Sequence, residues 1–307
     1  MQGLLKAHIA LFIVQLMYGA NYVVAKGLMP NIIGPNGFIL VRVLGAVTLF
    51  WAILLFRHEK VALKDFGRLA LAAVFGVALN QLMFFNGLMR TSPLNASVIM
   101  TTTPIIVLIF SIIILKERIK PIQLVGVLIG AVASVFFILL NASGGYASDT
   151  GDIFILINAT SYSIYLVIVK PLMLKYQPLT VISWVFTFGL MYLLIWIPTT
   201  TEVAQVNWSS LDPYVIGKII FVVVGVTFVT YLLNVYALKR VSPAVTAVYI
   251  YLQPVLATTF VLVFSFLGLE DYSKDMSIGK FFCALFIFLG VYLVIKPGLD
   301  KKKAETK

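Results

Sequence analysis

Uncharged apolar runs recur along the whole chain, and each reaches the roughly 20 residues that an α-helix needs to cross bilayer hydrocarbon. With 61% hydrophobic and 11% charged residues and a mean hydropathy of +1.02, the chain lies far outside the soluble range. A β-barrel would show alternating ten-residue strands instead. The fold class is therefore all-α integral membrane. Ten spans are predicted, at about residues 6–26, 35–56, 67–89, 93–115, 121–141, 152–170, 178–198, 214–238, 243–267 and 277–296. Connections are short, the longest being a loop at 199–213 in which Asn207-Trp208 serves as an interfacial anchor.

A net charge of +11 would suggest nucleic acid in a soluble protein, but here the cations sit at span ends and no nucleic-acid partner is expected. When both termini are placed in the cytoplasm, 17 of the 23 Lys and Arg fall inside. Only Lys26, Arg90, Lys218, Lys274 and Lys280 fall outside, and Arg42 lies within a span. That asymmetry predicts a multi-pass protein of the cell (inner) membrane with cytoplasmic termini. The Lys301-Lys302-Lys303 cluster suits anionic lipid headgroups. The first apolar run, about Ala7 to Ala25, is long and is followed by no convincing cleavage site, so it is read as an uncleaved helix. A single cysteine, Cys283, excludes an intrachain disulfide and a cysteine-built metal site. No metal or cofactor is expected.

One segment occurs twice. Leu88, Arg90, Ser92, Pro93, Val98, Pro104 and Phe110 recur at a fixed offset as Leu238, Arg240, Ser242, Pro243, Val248, Pro254 and Phe260. The match extends outward. Tyr18 through Lys26 resembles Tyr162 through Lys170, Pro35 resembles Pro178, and Gly126 and Gly130 correspond to Gly279 and Cys283. The repeat thus spans five helices and divides the chain into residues 1–145 and 146–298, with a basic tail at 299–307. Five is odd, so the copies must run in opposite directions, the ground plan of transporters with a midplane site. In each copy Ser-Pro ends one apolar stretch, while Pro104 or Pro254 lies inside the next and frees the carbonyl of Met100 or Ile250. Gly126, Gly130 and Ser134, echoed by Gly279 and Cys283, form a small-residue ridge. Such a ridge would scaffold the halves or form a dimer seam, leaving monomer and homodimer both open.

Taken together, the ten-span count, the five-plus-five duplication and several local motifs resemble the drug/metabolite transporter superfamily, in its EamA-type branch. Tyr18-Gly19-Ala20-Asn21-Tyr22 with Lys26 occupies the place of that family's first-helix Trp-Gly-Ser-Asn-Phe stretch. Arg42 follows, then Ser92-Pro93 with Pro104 and Glu117, and Ser242-Pro243 with Pro254 and Glu270. Tyr18 stands where Trp is usual, and Leu269-Glu270-Asp271 where Gly-Glu is common. The resemblance implies export or exchange of small metabolites, often amino acids, through a cavity between the halves.

The residues point the same way. Midway between the flanking charges of six spans lie Gln15, Asn80, Thr102 with Thr103, Ser161 with Tyr162, the Thr227–Tyr231 turn, and Gln253. Helical spacing extends these points into stripes: Gln15, Gly19 and Tyr22; Asn158, Tyr162 and Tyr165; Thr227, Tyr231 and Asn234. Polar groups facing lipid are costly, so the stripes should turn inward. They either join helices, at about 0.6 kcal/mol per bond, or line a shared cavity. Candidate substrate contacts are Gln15, Tyr18, Tyr22, Asn80, Phe84, Thr102, Asn158, Tyr162, Tyr165, Tyr231, Asn234, Tyr249 and Gln253. Arg42 would meet a carboxylate or phosphate, bond loose carbonyls at a kink, or snorkel outward. Glu117 is read as a local ion pair with Lys116 and Arg118.

No acid or histidine sits at the predicted midplane, which suggests a facilitator or exchanger without a proton relay. The expected function is alternating-access transport of small polar or amphipathic metabolites through an uncharged polar cavity, with Pro93, Pro104, Pro243 and Pro254 as bends. A lipid flippase of the same architecture is the alternative. An intramembrane enzyme would need a nucleophile with a base, or a metal-binding cluster, at membrane depth, and the sequence offers neither.

Overall fold

The computed structural model describes residues 2–56, 59–91, 93–139, 149–266 and 278–304. Among the described residues the regular structure is entirely helical. Helices α1 (Gln2–Leu28), α2 (Pro35–Leu54) and α3 (Leu63–Ala73) open the first half. A π-helical turn at Val74–Ala78 joins α3 to α4 (Leu79–Arg90), and α5 (Pro93–Met100), α6 (Thr103–Leu115) and α7 (Pro121–Leu139) follow. The second half holds α8 (Asp149–Lys175), α9 (Pro178–Ile195), α10 (Ile197–Ala204) and α11 (Pro213–Ile220). A longer π segment, Phe221–Val229, leads into α12 (Thr230–Leu238), then α13 (Pro243–Val248), α14 (Gln253–Phe266) and α15 (Ile278–Ala304).

Helix occupies each of the ten predicted windows. Among the described residues, six rods are long and apolar enough to span a bilayer: 3–28, 35–54, 63–90, 150–175, 178–195 and 213–238. The predicted boundary between the halves, near residue 145, and Glu270 both lie outside the described residues. The stretch predicted as a tail is helical through Ala304. The 199–213 connection is not the simple loop predicted, since α10 covers its first part and a 3₁₀ turn forms at Trp208–Ser210. The hydroxyl of Thr199 donates to the carbonyls of Leu193 and Trp196 (2.6 and 2.8 Å) and so closes the corner between α9 and α10.

Proline sets the local structure in two ways. Pro93 and Pro243 are the first residues of α5 and α13, where the missing N–H has no intrahelical acceptor to lose. There each begins a new helix after the break that ends the rod before it. Pro104 and Pro254 do interrupt their rods, one turn early. In the first half, α5 ends at Met100 and the chain turns through Thr101-Thr102 before α6. In the second, the corresponding step is a 3₁₀ segment at Tyr249–Leu252.

The two repeats run in opposite directions. Near the start of α1, a Cβ on Gly3 would stand 3.9 Å from Arg240 Nε, beyond the end of α12. At its far end, Lys26 bonds the last carbonyls of α4, and a Cβ on Gly151, in the first turn of α8, would stand 3.0 Å from Arg90. So α8 begins where its counterpart α1 finishes. Helices α7 and α15 meet at bare backbone: a Cβ on Gly126 would stand 2.8 Å from the Gly290 carbonyl oxygen, and one on Gly290 would stand 2.7 Å from that of Gly126. The small-residue seam therefore joins the two repeats within the chain. Gly290 stands there opposite Gly126 and Gly130. Around the outside, Ile113, Leu128, Val132, Phe136, Leu285 and Phe286 are about half exposed (49–66%), the apolar belt that hydrocarbon requires.

Candidate functional site

A cavity of about 70 Å³ lies between the halves. Its lining combines Tyr18, Asn21 and Tyr22 of α1, Arg42 of α2, and Asn80, Gln81, Phe84 and Phe85 of α4. Asn158 and Tyr162 of α8, Tyr231 of α12, and the backbone breaks at Met100 and Ile250 with Gln253 close it. Of the thirteen expected contacts, the structure brings together Tyr18, Tyr22, Asn80, Phe84, Asn158, Tyr162, Tyr231 and Gln253. Gln15, Tyr165 and Asn234 stand directly behind them.

The π turns account for much of this lining. A π turn leaves carbonyls without their usual i+4 partners, and here other helices supply donors. Ser161 Oγ donates to Phe75 O (2.7 Å), and Tyr231 Oη donates to Gly76 O (3.3 Å). Gly76 is required there because the ring of Tyr165 presses on it, 2.3 Å from where a Cβ would be. The Tyr165 hydroxyl has no partner. Immediately after the turn, Asn80 and Asn158 clasp each other, each side-chain amide donating to the other's backbone carbonyl (3.3 and 2.7 Å). Gln81 Nε2 donates to Tyr231 Oη (3.4 Å), and Asn234 Nδ2 donates to Tyr162 Oη. On the opposite wall Tyr22 Oη donates to Gln253 Oε1 (2.9 Å), and Gln253 Nε2 donates to Gln15 Oε1 (2.7 Å).

Two expected contacts lie elsewhere. Thr102 turns its hydroxyl back onto the Ile99 carbonyl (2.7 Å), where it serves the helix break. Tyr249 pairs with His8 Nδ1 (2.9 Å) in a separate apolar cluster near the chain's start. Because that residue sits in the 3₁₀ step, α-helical spacing from Gln253 misplaces it.

Arg42 overturns the expectation of an uncharged cavity. It is only 3% exposed, its guanidinium carbon lies 4.5 Å from the Phe85 ring centroid, and Nε donates to Thr227 Oγ1 (2.9 Å). Thr227 can accept because its own proton goes to Val222 O (2.8 Å), five residues back across the second π segment. The guanidinium therefore neither snorkels nor serves loose carbonyls. Among the described residues, one terminal nitrogen, Nη1, has no partner, and no acid lines the cavity. A buried, uncompensated cation costs several kcal/mol. Three amide oxygens on lining residues, Asn21 Oδ1, Gln81 Oε1 and Asn158 Oδ1, are likewise unpartnered. Sequence reasoning missed Asn21 and Gln81. Asn21 falls off the Gln15–Gly19–Tyr22 face, and Gln81 adjoins Asn80, so straight helical spacing assigns neither to the lining.

Paired clamps hold the ends of the bundle. Lys26 Nζ donates to Leu88 O, Met89 O and Thr91 O (2.7–3.1 Å), and its counterpart Lys170 donates to Leu238 O and Val241 O (2.5 and 2.6 Å). Each lysine thus closes the C-terminal end of a helix, where cations are favoured. Carboxylates do the converse. Glu202 of α10 accepts from Gly37 N (2.8 Å) and Asn36 Nδ2 (2.6 Å) at the start of α2, while Glu59 accepts from Gln177 N (2.9 Å) at the start of α9. The offset that pairs Pro35 with Pro178 also pairs Glu59 with Glu202. Each half therefore caps the other's second helix. Glu117 makes no ion pair with Lys116 or Arg118 among the described residues. Burial pushes its carboxyl up, and the charge that pulls it back is Lys170.

A bundle with its aliphatic side chains outside and its amides inside, built twice over, is made to pass solutes through lipid. Fold and site together define a multi-pass membrane transporter. The chain belongs to the EamA-like transporter family, whose model matches residues 5–140 and again 149–296. Two relatives from Archaeoglobus fulgidus, each described as an uncharacterized transporter, are similar over most of their length. One is 24% identical over 271 residues, covering 87% of this chain and 90% of the relative. The other is 27% identical over 251 residues, covering 82% and 85%. A solved structure described only as the crystal structure of a protein shares the fold, with a TM-score of 0.70, 17% identity, and coverage of 95% of this chain and 96% of that one.

Proposed function

We propose that this transporter carries small metabolites bearing a carboxylate, amino acids foremost, by alternating access between its two repeats. The observation that carries this reading is Arg42, a guanidinium buried in the cavity wall whose Nη1 finds no partner, and beside which no acid stands, among the described residues. A substrate carboxylate would supply the missing counter-charge in a low-dielectric site, where such pairs are strong. The unpartnered oxygens of Asn21, Gln81 and Asn158 suit an ammonium group, and the rings of Tyr22, Phe84 and Phe85 suit an apolar side chain. Contacts are thus assigned to Tyr18, Tyr22, Arg42, Asn80, Phe84, Asn158, Tyr162, Tyr231 and Gln253.

A space of about 70 Å³ holds a few water molecules; a metabolite requires the halves to part. The helix breaks before Pro104 and Pro254 and the two π segments are where the rods would flex. With both termini cytoplasmic, the cavity lies toward the outer leaflet, at the end carrying Lys26 and Arg90. No acid or histidine lines it, so transport follows the substrate gradient, by facilitation or exchange.

The test is counterflow into proteoliposomes, comparing α-amino acids with the matching amines that lack the carboxylate. Uptake of the acids alone, unaffected by an imposed pH gradient, is expected. Equal uptake of the amines would remove Arg42 from recognition, and strong acceleration by the gradient would overturn the uncoupled mechanism.

A further inference from the structure

A second cavity, of about 440 Å³, opens at the end of the bundle opposite Lys26, between the C-terminal ends of α2 and α12 and the start of α9. Its volume falls within the range of small-molecule sites, and its wall is split by chemistry. One side is aliphatic, formed by Ile53, Leu232 and Leu233; the other carries Gln177, Tyr236, Lys239 and Arg240. These cations directly follow the uncharged run that ends at Leu238, which sets them at the depth where hydrocarbon gives way to headgroups.

Among the described residues neither cation meets a carboxylate. Arg240 lies flat on the Tyr236 ring, its guanidinium carbon 3.7 Å from the centroid, and donates to the Tyr236 carbonyl (2.8 Å). Lys239 reaches only neutral oxygens, Tyr176 O and Gln177 Oε1, both at 3.3 Å. The neighbouring acids bond other donors: Glu59 accepts from the backbone N–H of Gln177, whose side chain Lys239 reaches, and Asp65 pairs with Lys175 and Tyr176.

The other repeat shows what such a place takes. Arg90 is the counterpart of Arg240, and Asn86 that of Tyr236. There the chain supplies its own anion: Glu202 bonds Asn36, Asn36 accepts from Asn86, and Asn86 accepts from Arg90. At Arg240 itself no carboxylate among the described residues closes such a chain; Glu59, the counterpart of Glu202, is linked only to Lys239, through Gln177. A soluble anion would leave the aliphatic wall unused; a phospholipid uses both sides.

We propose that this cavity binds an anionic phospholipid, with its phosphate on Lys239 and Arg240 and an acyl chain along Ile53, Leu232 and Leu233. Basic pockets between membrane helices hold headgroups in this way. The site is separate from the substrate cavity and does not depend on the substrate assigned above.

Thermal melts of the purified full chain in detergent test it, with added phosphatidylglycerol, phosphatidylcholine or inorganic phosphate. A ligand that binds only the folded state raises the midpoint, and phosphatidylglycerol alone is expected to do so. The double variant Lys239→Gln/Arg240→Gln should lose that shift, whereas Lys116→Gln/Arg118→Gln, at the same end of the bundle, should keep it. Leu232→Trp, which fills the cavity and leaves both charges, should also lose it; this second route decides the matter if the double variant does not fold. An equal shift with phosphatidylcholine or with phosphate, or a shift that survives both Lys239→Gln/Arg240→Gln and Leu232→Trp, would overturn the proposal.

Discussion

The two repeats of this transporter share a frame and differ in what they do with it. Lys26 and Lys170 close equivalent helix ends. Glu202 and Glu59 cap equivalent helix starts. Both third-position rods pass through π segments, and both fourth-position rods break before a proline. Yet Arg42 is matched, at the Pro35–Pro178 offset, by Val185, fully buried in an apolar core. In the proposed alternating-access mechanism, the backbone that reverses access is duplicated, and the group that would recognise a substrate is not. Such rocking uses two equivalent halves, because the inward and outward states exchange their roles. A small metabolite has no twofold symmetry, so its contacts need none.

The largest expected effect breaks this asymmetry. Arg42→Gln should lower counterflow of a carboxylate substrate by about 100-fold, as expected when a desolvated charge pair loses one partner. Its melting midpoint should stay level or rise, because a buried unpaired cation has been removed. Val185→Arg, which writes the cation into the other half, should instead cost about 3–5 kcal/mol in equilibrium unfolding, since no partner awaits it there. A variant that melts like the parent would show the halves to be more alike than their packing suggests.

Smaller effects probe the shared frame. Lys26→Met and Lys170→Met should each lose roughly 2–3 kcal/mol, because several helix-end carbonyls lose a charged donor together. Matching losses in denaturant titrations would support equivalence; a twofold disparity would break it. The carboxylate caps should differ. Glu202→Gln should cost about 1–2 kcal/mol, since that carboxylate holds two donors and packs against Gly34 and Gly37. Glu59→Gln should cost only a few tenths, because its one donor is exposed. The equivalent glycines Gly67 and Gly217, which lie within helices with nothing near a new Cβ, should act in the opposite direction. Alanine at either should stabilise by about 0.5–1 kcal/mol, seen as a slightly higher melting midpoint.

How much of this could be read from the residues depends on whether a feature is local. The rods were legible because hydrophobic length is a local quantity, and the reversed repeat because five is odd. Most of the cavity wall was legible too: polar side chains at one depth in six rods had few inward places to go. Tyr249 and Thr102 were misplaced because local 3₁₀ and turn geometry at the helix breaks rotates side chains off the α-helical phase. Asn21 and Gln81 were missed because a straight-helix stripe omits the flanks of a lined cavity.

By itself, then, the sequence determined the membrane class, the helical windows and the duplication, all of which follow from apolar length and recurring residues along one chain. Only the tertiary structure decided that Arg42 faces the cavity between Phe85 and Thr227, that Glu59 and Glu202 cap each other's halves, and that Gly290 meets Gly126. Those are contacts between residues far apart in the chain, and spacing along one helix carries no information about which neighbour another helix will offer.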